Sequence, residues 1–288
     1  MKITNYQFSF EDIMIHVPMI SYRRFSEPLP RHSHGKNAFE LHYVTDGKGT
    51  VIMGKESYAL TPGVLYMTGP NISHEQLPDE SEPLTEFGLF FLMSEKETES
   101  PLIQTFMEYD RWIGDASEEI RALAHAILEE TTNSNYGFAQ KIPLLLSELL
   151  IECVRLFVSD KHPVERKLPS PTKTIDVNML QEENTLLVID EIFLCRYADV
   201  TLEQLAAVIG LSKRHTQRLL EKYYNKSFSA MKLESRMAAA ETLLRNSSLK
   251  ITDISNRTGY SSIEHFSNAF KKFYRVSPGQ YRSMLREK

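Results

Sequence analysis

Two groups of side chains in the C-terminal part of the chain have the chemistry needed to read DNA base edges. Within each group the spacing places the members on one face of a helix. Arginine can donate two hydrogen bonds to guanine, and glutamine or asparagine can pair with adenine in the same way. Lysines that follow the second group suit phosphate contacts. The nine candidates are Lys213, Arg214, Gln217, Arg218, Glu264, His265, Asn268, Lys271 and Lys272.

A second set of polar residues lies among apolar strand patterns near the N-terminus. Histidine and carboxylate side chains can hold a metal ion, or they can hydrogen-bond the hydroxyl groups of a small ligand. We predict the second role, with no bound metal and no other cofactor. The candidate effector-binding residues are His34, Glu40, His42, Tyr66 and His74.

The C-terminal candidates belong to a pattern that occurs twice, 49 to 50 residues apart. Each copy predicts a short amphipathic helix, a turn and a second amphipathic helix. Gly210 and Gly259 mark the turns, where a positive φ is expected. Helix-turn-helix units of this kind place their second helix in the DNA major groove. A helix predicted over 229–245 would separate the two copies by about one turn of DNA.

The charge distribution fits this interpretation. Residues 200–288 contain 16 Lys and Arg against 7 Asp and Glu, a net charge of +9. The whole chain carries −5, so residues 1–199 carry −14. An acidic body joined to a basic end is expected when only one end of a chain contacts nucleic acid.

Two serines are positioned to cap the second helices of the two copies. Ser212 is predicted to cap the first of them by accepting a hydrogen bond from an exposed amide. In the second copy Ser261 and Glu264 form a candidate capping box. If Glu264 acts in that way, it is less free to read a cytosine amino group.

The remaining patterns predict an α+β protein of two domains. Short alternating strands with turns over residues 1 to about 95 indicate a β-barrel or sandwich, and helical periodicity follows over 100–159. Residues 161–178 are rich in proline and charge, which is typical of a linker. We therefore predict domains at 1–160 and 179–288, the second all-α.

The helix predicted over about 137–159 has a wider apolar stripe than one covering layer requires. One interpretation is that it packs on the strands of its own domain. The other is that part of the stripe contacts a partner helix in a homodimer, and we predict that Leu146 and Leu150 lie in that contact.

Composition narrows the class of protein. The content of 42% hydrophobic and 25% charged residues is typical of a soluble globular protein. No apolar run approaches the length of a membrane span, and no signal-like segment opens the chain, which predicts a cytoplasmic protein without membrane contact. Cys153 and Cys195 are expected to be buried free thiols.

The C-terminal segment, about 185–286, resembles the DNA-binding domain of AraC/XylS-type transcription regulators. The resemblance is most specific over 251–282, which contains the family's Phe-Ser-x-x-Phe-Lys and Ser-Pro-x-x-Tyr-Arg elements. Asn225 and Arg275 stand near positions where the family usually has glycine, and asparagine tolerates a left-handed φ. The N-terminal segment is similar to the cupin-type sensor of the same family, through His32-x-His34, Glu40-Leu-His-Tyr-Val and Pro70-x-x-x-His74.

This resemblance implies a cupin-like β-barrel with accessory helices, followed by a double helix-turn-helix domain. It implies promoter DNA, a small-molecule effector such as a sugar and a homodimer as partners, with RNA polymerase as a further candidate. It also places six of the nine DNA-binding candidates at groove-facing positions, namely Arg214, Gln217, Arg218, Glu264, His265 and Asn268. An activator of transcription is favoured over a repressor.

Two other classes remain open on the sequence. A metal-dependent cupin enzyme with a helical tail would use His32, His34, Glu40 and His74 as ligands. A DNA binder without an effector would have an affinity that is independent of DNA sequence and falls with salt concentration alone.

Within the sensor, Tyr22, Tyr43, Tyr66 and Trp112 are possible stacking faces for a ligand. Strand alternation puts Glu40 and His42 on one face and Leu41 and Tyr43 on the other, and either set could face inward.

Overall fold

The computed structural model describes residues 2–35, 37–94, 98–158 and 177–286. It divides into two compact units. The first unit contains residues up to 26, 33–74 and 78–184. The second unit contains 185–288 together with the short segments 27–32 and 75–77.

In the described residues, ten strands form two sheets with the orders β1-β2-β9-β4-β7-β10 and β3-β8-β5-β6. The neighbouring strands β1–β2, β2–β9, β4–β9, β4–β7, β7–β10 and β5–β6 pair antiparallel. The strands Gly49–Met53 and Glu56–Leu60 form a hairpin around Gly54. The strands are β1 Lys2–Phe10, β2 Ile13–Phe25, β3 Leu29–His32, β4 Ala38–Asp46, β5 Gly49–Met53, β6 Glu56–Leu60, β7 Val64–Thr68, β8 His74–Pro78, β9 Leu84–Met93 and β10 Arg111–Asp115.

The two faces of β4 point into different environments. Val44 packs with Val51 and Leu60 of the four-stranded sheet, so this face lies between the two sheets. Glu40 and His42 alternate with Val44 on that same face. Phe39 and Leu41 lie on the opposite face, in the core shared with the helices. The inward set is therefore the polar one.

Among the described residues, three helices cover the outer face of the six-stranded sheet: α1 Pro101–Glu108, α2 Glu118–Asn133 and α3 Phe138–Val158. The apolar side chains of α3 pack into the same core as Phe39 and Leu41. Leu146 is 0% exposed and Leu150 is 1% exposed. The prediction that these two leucines contact a partner subunit is therefore wrong, because the protein's own sheet and helices already cover them.

The long C-terminal segment of the second unit, described over 185–286, consists of helices joined by turns, as the sequence predicted. Its helices form two cores, the first around Ile189, Leu205 and Leu220 and the second around Ile254 and Phe270. Each core holds one helix-turn-helix unit. The helices are α4 Val177–Cys195, α5 Leu202–Val208, α6 Lys213–Tyr224, α7 Phe228–Asn246, α8 Ile251–Arg257, α9 Ile263–Tyr274 and α10 Pro278–Arg286.

Helix α7 joins the two cores, since its Met231 packs in the first and its Met237 in the second. Its 19 residues correspond to a rod of about 28 Å. The turn glycines have the expected positive φ, +69° at Gly210 and +79° at Gly259. Gly259 is also required sterically, because a Cβ there would lie 2.3 Å from the backbone oxygen of Ala198.

Asn225 and Arg275, the residues near the usual family glycines, both adopt a left-handed φ at the ends of α6 and α9.

Of the predicted linker 161–178, residues 161–176 lie outside the described residues and 177–178 begin α4. Both cysteines are free thiols. Cys153 is buried as predicted, but Cys195 is only partly buried, and its thiol lies 2.8 Å from Glu191 Oε1.

Candidate DNA interface and buried polar cluster

The first recognition helix, α6, presents a continuous polar face. Ser212 caps it as predicted, accepting a hydrogen bond from the His215 amide at 3.3 Å. Thr216 and Leu220 are buried against the core, whereas Arg214, Gln217 and Arg218 are exposed. Lys213 is exposed as well, but its Nζ lies 2.7 Å from Glu203 Oε1.

The second recognition helix, α9, has the same division of faces. Phe266 and Phe270 are fully buried, and the side chains predicted to contact DNA are exposed. These are Glu264, His265, Asn268, Lys271 and Lys272. The two helices carry their exposed groups at equivalent positions of the repeat, so both could enter a groove in the same way.

The cap of α9 differs from the predicted one. Ser262, not Ser261, is the N-cap residue and accepts from the His265 amide at 3.4 Å. Its hydroxyl also donates to the Glu264 carboxylate, and this contact lowers the pKa of Glu264. The turn in this copy is one residue longer, which moves the cap by one position. The predicted capping box of Ser261 and Glu264 is therefore wrong, because Glu264 is the second residue after the cap and accepts from the hydroxyl of Ser262.

The predicted effector residues come together as a buried polar cluster between the two sheets, formed by His34, Glu40, His42, His74 and Tyr66. One carboxylate oxygen, Glu40 Oε2, lies 3.1 Å from His34 Nε2 and 3.1 Å from His74 Nε2. The same oxygen lies 3.4 Å from His42 Nε2. The ring of Tyr66 stacks on His42 with centroids 4.6 Å apart.

A second carboxylate, which the sequence argument did not identify, completes the cluster. Glu86 is fully buried on β9, and its Oε1 lies 3.1 Å from His42 Nδ1. Arg23 also reaches this oxygen, at 3.3 Å. Glu86 could have been noticed as an acidic residue inside an otherwise apolar strand, Leu84–Met93. The register of β9 against β4 brings it beside His42.

The cluster is strongly polarised. Burial opposes the positive charge on His42, but the two carboxylates of Glu86 and Glu40 outweigh it and raise the pKa of His42 to about 10. Burial likewise opposes charge on Glu40, yet His42 and His34 bring the pKa of Glu40 well below its usual range. His42 therefore lies as an imidazolium between two carboxylates at neutral pH.

The same region has the donors for a metal ion. His32, His34, Glu40 and His74 each offer one ligand atom, and these atoms lie within 4.8 Å of one another. The Nδ1 atom of His74 lies 3.0 Å from the Ile72 carbonyl, which orients Nε2 toward Glu40. Such outer contacts commonly fix metal-binding histidines. The donor set fits a divalent ion, and the arrangement equally fits polar recognition of a ligand.

The proposed stacking faces do not all belong to this cluster. Tyr66 does, but Tyr22 and Tyr43 line a groove on the other face of β4. Trp112 packs against Phe157, with ring centroids 4.3 Å apart. Polar groups and stacking faces that the sequence suggested for one pocket therefore lie in separate places.

Comparison with known proteins agrees with both halves of the structure. Residues 21–146 match the AraC-like ligand binding domain, and residues 205–284 match a helix-turn-helix domain. The chain belongs to the AraC family of transcription regulators. It is a ligand-responsive DNA-binding regulator of that family, and its two predicted domain types are confirmed.

Relatives extend along most of the chain. The lactose operon transcription activator of Staphylococcus xylosus is 25% identical over 84% of this chain and 82% of its own. The Msm operon regulatory protein of Streptococcus mutans is 22% identical over 87% and 86%. Among solved structures, the C-terminal domain of the response regulator yesN from Fusobacterium nucleatum is 31% identical, covering 34% of this chain and 98% of that one, with a TM-score of 0.33.

Among the described residues, no helix has the length and apolar character needed to cross a membrane.

Proposed function

We propose that this regulator activates transcription in response to a small polar molecule, such as a sugar, and has no catalytic activity of its own. The observation that carries the proposal is the convergence of three imidazoles on Glu40 inside a ligand-binding domain. A polyhydroxylated molecule offers both donors and acceptors for such groups. The name of the lactose operon transcription activator among its relatives favours the same class of effector.

The proposed response begins at Glu40. Its carboxylate is buried and its Oε2 atom is already engaged by His34 and His74, so an effector that binds this oxygen competes with them. Leaving a buried polar group without a partner costs about 1–3 kcal/mol. An effector that supplies hydroxyl groups in the right places avoids this cost, and a molecule without them does not. Selectivity for a polar effector follows from that difference.

The effector proposal is tested with two variants and one control. Promoter binding and transcription would be measured in vitro with a panel of mono- and disaccharides. Glu40→Gln and His74→Asn should each reduce the response to the active sugar by about tenfold or more, with unchanged DNA affinity in its absence. Glu56→Gln, an exposed glutamate on β6, is the matched control and should respond normally.

Elemental analysis separates this proposal from the metal-enzyme alternative. We expect no stoichiometric metal in the purified protein. One tightly held metal per chain that is lost in His34→Ala, together with turnover of a substrate, would contradict the proposal. A sugar response that persisted in Glu40→Gln would instead move the effector site elsewhere.

On the DNA side, we propose that Arg214, Gln217 and Arg218 of α6 and His265 and Asn268 of α9 contact bases. Lys271 and Lys272 contact phosphates. Lys213 and Glu264 are near the groove, but Glu203 and Ser262 engage them, so they are expected to contribute less. Two recognition helices joined by α7 would read two successive segments of the major groove.

A library of binding sites tests the assignment of bases and phosphates. Arg218→Ala should relax the preference at one base pair and cost about 1–3 kcal/mol there. Lys272→Ala should weaken binding to all sites alike and lower the salt slope by about one. Lys226→Ala, whose Nζ pairs with Glu234, is the control and should change neither. Identical profiles for Arg218→Ala and Lys272→Ala would refute the assignment.

We also propose that the active form is a homodimer on promoter DNA and that it contacts RNA polymerase. Dimerisation would place two basic units on adjacent half-sites, and effector binding would change their preferred spacing. Since Leu146 and Leu150 are core residues, the dimer contact on α3 must use exposed positions. Leu144, which is 70% exposed, is the large apolar side chain available there.

A further inference from the structure

A groove of about 600 Å³ lies on the outer face of the six-stranded sheet, beside α2. All of its lining residues belong to the first unit. We call it the aromatic groove, because Tyr22, Tyr43 and Phe87 form its floor. Helix α2 lines the groove with Arg121, His125 and Glu129, among other residues.

The floor of the groove presents aromatic surface to solvent. Tyr22 is 52% exposed although it is a large ring on a core strand. Its hydroxyl lies 3.3 Å from Thr45 Oγ1, which helps to orient the ring. Helix α2 buries Ile120 and Ile127 in the core, and its flank stands beside the floor as a wall. A concave apolar surface of this volume is typical of small-molecule sites.

The wall carries the guanidinium of Arg121 near the start of α2, and the carboxylate of Glu129 lies about two helical turns farther along. Arg121 and His125 are exposed and lie one helical turn apart on α2. The Nε atom of Arg121 donates to the Ala116 carbonyl at 3.1 Å, which anchors the guanidinium. Within the described part of the chain, no acidic group forms an ion pair with Arg121. A guanidinium held in this way can donate two parallel hydrogen bonds to a carboxylate.

We propose that the aromatic groove binds a small organic acid with a planar apolar body. Its carboxylate would pair with Arg121, near His125, and its planar part would lie on Tyr22 and Tyr43. The groove is separate from the buried polar cluster, because Tyr43 and His42 point to opposite faces of β4. The proposal therefore stands independently of the effector site around Glu40.

A matched pair of probes tests the charge requirement. Binding of trans-cinnamate and its neutral analogue cinnamamide to the full-length protein would be measured by NMR titration. Cinnamate should bind saturably to the wild type, and cinnamamide about tenfold to a hundredfold more weakly. In Arg121→Gln the two probes should bind equally weakly, whereas Arg121→Lys should retain part of the preference for the acid.

Two further variants locate the site. Tyr43→Leu should weaken both probes, because the planar body loses its stacking face. Arg155→Gln, an exposed arginine on α3 that pairs with Glu152, should bind cinnamate as the wild type does. Thermal unfolding monitored by circular dichroism would confirm that each variant is folded, and Arg121 is exposed enough for its substitution to be tolerated.

Several results would overturn the proposal. They are the absence of saturable cinnamate binding, equal affinity of acid and amide for the wild type, or an equal loss in Arg121→Gln and Arg155→Gln. A dimer that Tyr22→Asp dissociates, combined with no probe binding, would instead identify the groove as a contact between two copies of the chain.

Discussion

The buried histidine His42 carries the most marked electrostatic constraint in the polar cluster. Its two ring nitrogens face carboxylates of Glu40 and Glu86, at 3.4 Å and 3.1 Å. Since removal of one partner of a buried charge pair leaves the other uncompensated, each member is expected to matter more than a surface charge would. Glu86 is therefore expected to be as important to the cluster as Glu40, although it was not among the predicted residues.

A pH dependence of stability follows from the raised pKa of His42. Its folded-state pKa of about 10 lies above the ordinary value of 6.5, so its contribution is fully present below about pH 6.5. The contribution decreases as the pH rises through 10. Urea unfolding of the first unit should show a decline in the free energy of unfolding between pH 7 and pH 10.

The variant His42→Gln provides the comparison for this prediction. It should be about 3–5 kcal/mol less stable than the wild type at pH 7, because Glu40 and Glu86 lose the charge between them. The difference should shrink toward pH 10, where the wild type also loses that charge. A difference that stayed constant over this range would show that His42 is not the titrating group.

Helix α3 shows how an element can satisfy its apolar surface within its own chain. The stripe is wide because the helix packs on strands and on α1 and α2 at the same time. Phe157 alone meets three aromatic side chains, Phe106, Tyr109 and Trp112. The apolar stripe of α3 is wide because the helix contacts several neighbours in one core, and a second subunit is not needed to explain it.

Leu146 and Leu144 lie close together on α3, and the first is a core residue whereas the second is a surface residue. Leu146→Ala should lower the free energy of unfolding by about 2–5 kcal/mol, as expected for a fully buried leucine. Leu144→Ala should change it by about 0.5 kcal/mol or less, since its side chain is mostly exposed. Denaturant unfolding measures both values. Equal effects would mean that Leu144 is covered in solution.

The same position tests the proposed dimer. Leu144→Asp should keep the fold and reduce the oligomeric state, measured by sedimentation, if exposed α3 residues form the contact. An unchanged dimer would place the interface on another element.

The second unit holds the two cores of the DNA-binding half. Every residue of these cores lies between 186 and 281, on helices α4 to α10 or the turns between them. Helix α4 contributes Ile189 and Phe193 to the first core, so it belongs structurally to the DNA-binding part. A fragment that begins after α4 would leave that core open.

This arrangement predicts the behaviour of isolated fragments. Residues 177–288 should unfold cooperatively and bind the selected DNA site, with an affinity that falls steeply with salt. Residues 199–288, which lack α4, should be much less stable and bind weakly. Circular dichroism and fluorescence anisotropy would measure both properties. A stable and active short fragment would show that α4 is dispensable.

Local sequence patterns were sufficient to predict many of the secondary-structure elements of this protein. The repeat around Gly210 and Gly259 predicted two helix-turn-helix units, because helical periodicity and a glycine turn are properties of adjacent residues. The exposed faces of α6 and α9 follow from the same periodicity.

Other features depended on which residues distant in sequence pack together. Alternation divides β4 into two faces but does not say which is inside, and the four-stranded sheet decided that Glu40 and His42 point inward. The strand register brought Glu86 to His42, and packing on the sheet covered Leu146 and Leu150. Spacing along a chain fixes the face of an element, whereas the partner of that face depends on the free energy of burying it against the rest of the fold.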